Sequence, residues 1–425
     1  MHKDNQFTVI GIIIWLICAV FFLYEFLLRT VIGTFQSPIM YDFNIDSFKY
    51  SILSTSAYLG IYGLMQIPVG LIIDSIGLKK SILLGCGICA ISAIGFSLTY
   101  TYYTAVPLRM LMGLGSSFGF VCLIVAVYDW FPRKYTALFI GLSQFIGTMG
   151  PMLAAGPLNS MAENATTSWR EVFFHLGIWG LIFLLPIFLI VRNNNLKTSN
   201  YIVIRKREKA NILLRNIFFN KTPWIIAIYS ACVYFAIEYL SENEAKNYIT
   251  LKGFSSSFAS YMITVSWIGY AIGCPLLGFL SDYFKRRKTL MVVASFFLVI
   301  ALTAIYLSTS ETCIVIAFFL LGIGASGQSI GFAFIAEHFK KRYLAIAISL
   351  NNAMIMALSS VNAPLIGLAL DHFKQDLDIQ LSDYSIVFGI LIAVAIISLL
   401  ISMLGIKENF CKSKVEMTFL STEKN

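Results

Sequence analysis

Glu25 and Arg29 stand four residues apart in VFFLYEFLLRTVIG (Val20 to Gly33), inside a run from Phe7 that is otherwise almost wholly apolar. On a helix that spacing puts both on one face, one turn apart, in the order that favours an ion pair. Glu238 has a similar setting in YFAIEYLSENE (Tyr234 to Glu244), with Tyr234 and Glu242 one turn to either side, and Arg109 opens the apolar RMLMGLG. A charge held away from water costs several kcal/mol unless it is paired or wetted, so its presence argues for a polar cavity. A carboxyl in such a place can take up and release a proton as an arginine approaches or leaves, and the arginine can grip an anion. Glu25 and Arg29 can also simply neutralise each other, and Arg109 can bond nearby carbonyls to stiffen its helix.

The elements that position these charges are membrane spans. With 58% hydrophobic and 12% charged residues and a mean hydropathy of +0.78, a 425-residue chain cannot be one aqueous domain. A window of about 19 residues picks out twelve apolar segments, near 7–36, 48–73, 81–99, 104–128, 136–160, 171–191, 223–248, 257–281, 289–308, 312–337, 344–370 and 384–406. Each can cross about 30 Å of hydrocarbon as a helix. The predicted fold class is therefore all-α, with twelve transmembrane helices. The first segment is too long for a signal-peptide core and lacks a small-residue cleavage site, so it is read as a mature helix.

Basic residues set the expected orientation. If both termini are cytoplasmic, the outer segments hold only Lys49, Arg170, Lys246, Lys252 and Lys374, and Arg29 and Arg109 lie within spans; every other Lys and Arg falls inside. Topology and anionic lipid then account for the net charge of +9, and no nucleic-acid partner is expected. Cys86 and Cys89 form a C-x-x-C in an apolar helix without His or a second pair, which reads as packing rather than a metal site. No G-x-x-x-x-G-K-[ST] is present, so ATP-driven transport is not expected; nor is an enzyme activity or a cofactor.

The chain repeats itself. GLIIDSIGLKK (Gly70 to Lys80) faces GFLSDYFKRRK (Gly278 to Lys288), DWFPRKY (Asp129 to Tyr135) faces EHFKKRY (Glu337 to Tyr343), and Gln144 faces Asn352, all at one offset. Two homologous six-helix halves follow, 1–192 and 223–406, joined by a basic linker at 193–222 and followed by a tail at 407–425. In each loop glycine permits the tight turn between helices, and the aspartate can accept from a helix N-terminus.

At these residues the chain resembles the major facilitator superfamily of secondary transporters, over essentially its whole length. Gly70 to Lys80 matches the family's loop signature, with Ser75 where a basic residue is usual; the second copy keeps Gly278 and Asp282 but has Lys285 in place of glycine. RMLMGLG (Arg109 to Gly115) is similar to the family's R-x-x-x-G-x-G, SWREVFF (Ser168 to Phe174) resembles the usual entry to the sixth span, and GTMGP (Gly147 to Pro151) partly matches a motif of antiporters. The resemblance implies that Gly70, Asp74, Gly77, Lys79, Lys80, Asp282 and Arg287 form gates, that Arg109 takes part in proton coupling, and that the first span of each half lines a central cavity.

The combined reading is a proton-coupled importer of a small polar nutrient, an amino acid, dipeptide or organic acid, working by alternating access. Tyr24, Glu25, Arg29, Arg109, Gln144, Tyr234, Glu238 and Asn352 are the candidate substrate and proton residues. Gln144, Gln328, Asn351, Asn352 and Asn362 could fix a polar solute or serve as glue between helices. A first span of the form Y-x-x-x-x-R, here Tyr24 to Arg29, is similar to bacterial uptake members, which implies a multi-pass protein of the bacterial inner (plasma) membrane. Its expected partners are substrate, protons and lipid, and it is expected to act as a monomer. The alternatives are proton-driven efflux of a drug, siderophore or metabolite, and a sensor that binds without transport.

Overall fold

The computed structural model describes residues 8–132, 136–165, 167–193, 220–338, 344–374, 379–408 and 410, and among them every regular element is helical. Most of the linker at 193–222 and nearly all of the tail at 407–425 lie outside the described residues. The chain divides into two compact units, one of Met1–Glu208 with Ser241–Lys246, the other of Lys209–Leu240 with Asn247–Asn425.

The first unit holds α1 (Val9–Thr34), α2 (Gln36–Phe43), α3 (Ser47–Ser51), a π-helical turn at Ile52–Ser56, α4 (Ala57–Ile76), α5 (Leu78–Ser97), α6 (Tyr102–Trp130), α7 (Thr136–Ala154), α8 (Gly156–Ala165) and α9 (Trp169–Ile190). α6 packs against α1, α4 and α5, while α5 also packs along α9 and α1 along α7. Polar caps start these helices where the apolar runs begin. Thr8 accepts from the Gly11 amide at 3.2 Å, and Ser168 and Glu171 close a reciprocal capping box at the head of α9. The latter explains the local form of SWREVFF.

The second unit holds most of α10 (Lys221–Glu242), α11 (Ala245–Leu251), α12 (Ser256–Phe284), α13 (Arg287–Leu307), α14 (Glu311–Ala325), α15 (Gly327–His338), α16 (Leu344–Phe373) and α17 (Tyr384–Leu400), which ends in a π-helical turn at Ile401–Gly405. α14 packs on α12 and α13, and α17 on α13. Ten helical stretches among the described residues are long and apolar enough to cross a membrane. The other two expected spans appear as joined pieces: 48–73 is α3, the π turn and α4, and 136–160 is α7 and α8 meeting at Ala155.

The glycines of GTMGP serve packing. A side chain at Gly147 would strike the Phe22 ring, and one at Gly150 would come within 2.5 Å of the Leu23 carbonyl, so both let α7 lie close along α1. In this chain the motif is accounted for by that approach.

Candidate functional site

The site is built where α1 meets the end of α10 and the residues just after it. Arg29 is 4% exposed and turns its Nε to Glu242 Oε1 at 2.7 Å; Glu242 is fully buried. The second oxygen of Glu242 accepts from Thr55 Oγ1 at 3.0 Å, and its backbone carbonyl accepts from the Tyr50 hydroxyl at 3.1 Å. Asn243 is tied in beside it, its Nδ2 donating to Thr55 Oγ1 at 3.0 Å and its Oδ1 accepting from Ser54 at 2.7 Å. Further along, Gln36 donates to Glu244 Oε1 at 2.8 Å. Breaking a buried pair of this kind costs about 3–5 kcal/mol, because the surviving charge is left without compensation.

Two features of the backbone allow this convergence. The π turn at Ile52–Ser56 widens the helix by one residue where Ser54 and Thr55 must face Glu242 and Asn243; such turns recur at functional sites. Gly33 on α1 then lets the chain at Ser241 approach closely, since a Cβ there would lie 2.0 Å from the Ser241 carbonyl oxygen.

Arg109, fully buried on α6, is the brace. Its Nη1 donates to the Leu28 carbonyl at 2.8 Å, and its Nη2 to the carbonyls of Arg29 at 2.6 Å and Ser54 at 3.2 Å. Its guanidinium carbon also lies 4.6 Å from the centre of the Tyr58 ring, a cation–π contact. One planar fork thereby joins α1 to the π turn, a job that the branched donors of arginine do and a lysine ammonium does not.

The other residues singled out by sequence fall into separate places. Glu25, 2% exposed, faces Tyr58, whose hydroxyl lies 2.9 Å from its carbonyl and 3.4 Å from its carboxylate and also contacts Ser116. Tyr24 donates to the Leu176 carbonyl at 3.0 Å, so its hydroxyl ties α1 to α9. Gln144 is half-buried on α7, its carbonyl accepting from Thr148 at 2.6 Å. In the second unit Glu238 is fully buried and accepts from Ser359. Tyr234 there packs edge-on against Trp267 and Tyr270, and Asn352 is buried on α16.

The two loop copies reach similar turns by different backbones. Gly77 has φ +83° and ψ 165°, a conformation open in practice to glycine. Lys285, its counterpart, sits in the left-handed helical region with φ 52° and ψ 38°. Asn193 caps the first loop by accepting from the Lys79 amide at 3.0 Å, and the Lys79 ammonium lies over the Phe188 ring. Gly70 is half-buried on α4, Lys80 is exposed, and the Asp74 side chain lies outside the described residues. In the second loop Arg287 bridges Asp282 at 2.6 Å and Glu337 at 2.8 Å, while Glu408 accepts from the Arg287 and Lys288 amides.

Sequence reasoning named Arg29 and Arg109, but it noted Glu242 only as a neighbour of Glu238 and passed over Tyr50, Ser54, Thr55 and Asn243. The one available signal was the polar run SENE ending an apolar helix. That run says the segment is polar, not what it meets.

Comparison with known proteins bears on the family and the fold of the chain. The pattern of the Major Facilitator Superfamily matches residues 14–248 and 239–414. A probable L-galactonate transporter of Escherichia coli (strain K12) is 22% identical over 277 residues, covering 60% of each chain. The hexuronate transporter of Bacillus subtilis (strain 168) is 23% identical over 270 residues, covering 62% of each. The match thus spans about three-fifths of the length of these curated relatives. The crystal structure of a bacterial homolog to the human lysosomal transporter Spinster, inward-facing and unoccupied, superposes with a TM-score of 0.74 at 18% identity over 96% of this chain and 97% of that one. A D-xylose-proton symporter does so with a TM-score of 0.73 at 16% identity over 95% and 99%. At those identities the structures speak for the fold alone, which is all-α. With the family pattern matched across nearly its whole length, this multi-pass membrane chain belongs to the Major Facilitator Superfamily of secondary transporters.

Proposed function

We propose that the protein imports a small hydroxylated organic acid together with a proton, by alternating access, across a bacterial inner membrane with both termini in the cytoplasm. The observation that carries this reading is the buried Arg29–Glu242 pair. A guanidinium that already holds one carboxylate has the shape and charge to hold another. When Glu242 is protonated its hold on Arg29 weakens, and the carboxylate of the substrate takes its place. One proton and one anion then enter together without leaving a buried charge unbalanced, which is a coupling rule as well as a binding site. Glu25 and Glu238 are further buried carboxyls available to the proton, and Arg109 acts by holding the backbone of Arg29.

The names of the relatives point the same way, since galactonate and hexuronates are sugar acids. The amino-acid and dipeptide substrates that the sequence left open have no such support. We assign the loop residues Gly70, Asp74, Gly77, Lys79, Lys80, Asp282 and Arg287 to gating, the segments 1–192 and 223–406 to the two halves, and one chain to the working unit.

The test is uptake into proteoliposomes with an imposed inward proton gradient, screened over D-galacturonate, D-glucuronate, L-galactonate, D-xylose, amino acids and dipeptides. Accumulation of a sugar acid that collapses with a protonophore is expected. Accumulation of an amino acid or dipeptide but of no sugar acid would overturn the substrate class, and sugar-acid movement indifferent to the gradient would overturn the coupling.

A further inference from the structure

A second polar concavity lies in the first unit, and neither Arg29 nor Glu242 lines it. It has a volume of about 400 Å³ and is lined by Asp42, Asn159, Lys246, Phe35, Pro38 and Trp169, among others. Asn159 is 2% exposed, and its amide orientation follows from chemistry. Lys246 Nζ lies 2.6 Å from Oδ1, and an ammonium can only donate, so the oxygen faces the lysine. Nδ2 is then left as a buried donor without a hydrogen-bond partner, on a residue that lines the cavity. A buried donor left unmade costs about as much as a lost hydrogen bond, which makes this group a place for a ligand's acceptor.

The rest of the wall narrows the ligand. The Lys246 ammonium, held also by the Thr34 carbonyl at 3.1 Å, puts positive charge beside the Asn159 donor and favours an anionic acceptor. Asp42 offers the opposite polarity. Its carboxylate is about one-third exposed and is kept ionised by Arg170 and by the Trp169 indole at 2.9 Å, so toward a ligand it can only accept. Phe35, Pro38 and Trp169 supply apolar surface between these polar groups. We infer that this cavity is a second binding site for a small hydroxylated carboxylate: carboxylate to Asn159 Nδ2 and Lys246, a hydroxyl to Asp42, and the C–H face of the ligand on the aromatic wall. The volume falls in the range of small-molecule sites and exceeds what a six-carbon acid needs.

The ligand class coincides with the proposed substrate class, but the argument stands on the cavity's own residues. On the orientation proposed above the site faces outside, where it holds incoming acid near the transport route.

Thr167, on the cavity wall, gives the readout. In the full-length protein in proteoliposomes, Thr167→Cys is alkylated by a maleimide and modification at that residue is followed by mass spectrometry. D-galacturonate should slow the labelling at least threefold. D-galactose and acetate, each lacking half of the recognition, should leave it unchanged. Asn159→Leu should abolish protection with the protein still folded by its thermal midpoint, and Arg29→Lys should leave protection intact. Absence of protection by D-galacturonate, or protection that survives Asn159→Leu, overturns the site; equal protection by acetate overturns the ligand class. Protection without uptake would sink the transport reading alone, and uptake without protection would sink this one alone.

Discussion

Arg109 Nη2 donates to the main-chain carbonyl of Arg29 at 2.6 Å, so one buried arginine holds the backbone from which the other reaches Glu242. The first acts through position and the second through charge. Arg109→Lys therefore loses geometry while keeping charge. A single ammonium cannot span the carbonyls of Leu28, Arg29 and Ser54, and each charged hydrogen bond lost is worth roughly 1.5–3 kcal/mol. The thermal midpoint of the purified protein should fall and sugar-acid binding should weaken together. Normal stability and binding with loss of the proton-gradient drive alone would instead give Arg109 a direct proton role.

Glu25→Gln separates proton movement from substrate movement. The carboxyl faces Tyr58 and is not the carboxylate that Arg29 bonds, so the amide keeps the fold and mimics the protonated acid. Counterflow exchange should persist while gradient-driven accumulation falls at least tenfold. Accumulation at the wild-type level would remove Glu25 from the proton route.

Gly77 and Lys285, equivalent positions of the repeat, should respond with opposite signs. Gly77→Ala forces a side chain into φ +83° against Asn193, 2.6 Å from the new Cβ, and should cost about 1–3 kcal/mol. Lys285→Gly relieves a left-handed residue at the end of α12 and should stabilise by roughly 1 kcal/mol. Chemical unfolding of the two variants in one detergent compares them. Equal signs would contradict the backbone argument.

Asp42 predicts an acid sensitivity. Burial works against its charge, but the donors Trp169 and Arg170 outweigh it and hold its carboxyl below the usual carboxylate range. A depressed folded-state pKa gives stability that is present above the unfolded value and is lost as pH falls through the folded value. Thermal midpoints measured from pH 6 down to pH 3 should therefore drop less steeply in Asp42→Asn than in the wild type. With Asp42 about one-third exposed the difference should be small, and parallel curves would remove the contribution.

Helix identity was legible because twelve apolar runs and a duplicated loop write the fold into composition and spacing. The charged residues of the site were legible as types for the same reason, since Arg29 and Arg109 stand out against apolar surroundings. Their partners were not. Local spacing pairs Arg29 with Glu25, yet the structure gives it Glu242, 213 residues away, through a close helix approach at Gly33 that only tertiary packing creates. Arg109 reaches main-chain carbonyls, which every residue possesses and no sequence pattern marks. The π turn that aims Ser54 and Thr55 is likewise a one-residue shift in backbone bonding with no signature in ILSTS.

The central claim is that the substrate's carboxylate and Glu242 compete for Arg29, with a proton deciding between them. Equilibrium binding of D-galacturonate to the purified protein as a function of pH tests this directly. In the wild type, affinity should rise by up to about tenfold per unit fall in pH while one proton is taken up with each anion. In Glu242→Gln, where no carboxylate competes, affinity should be high and nearly independent of pH over the same range. A variant that keeps the wild-type pH slope would contradict the account.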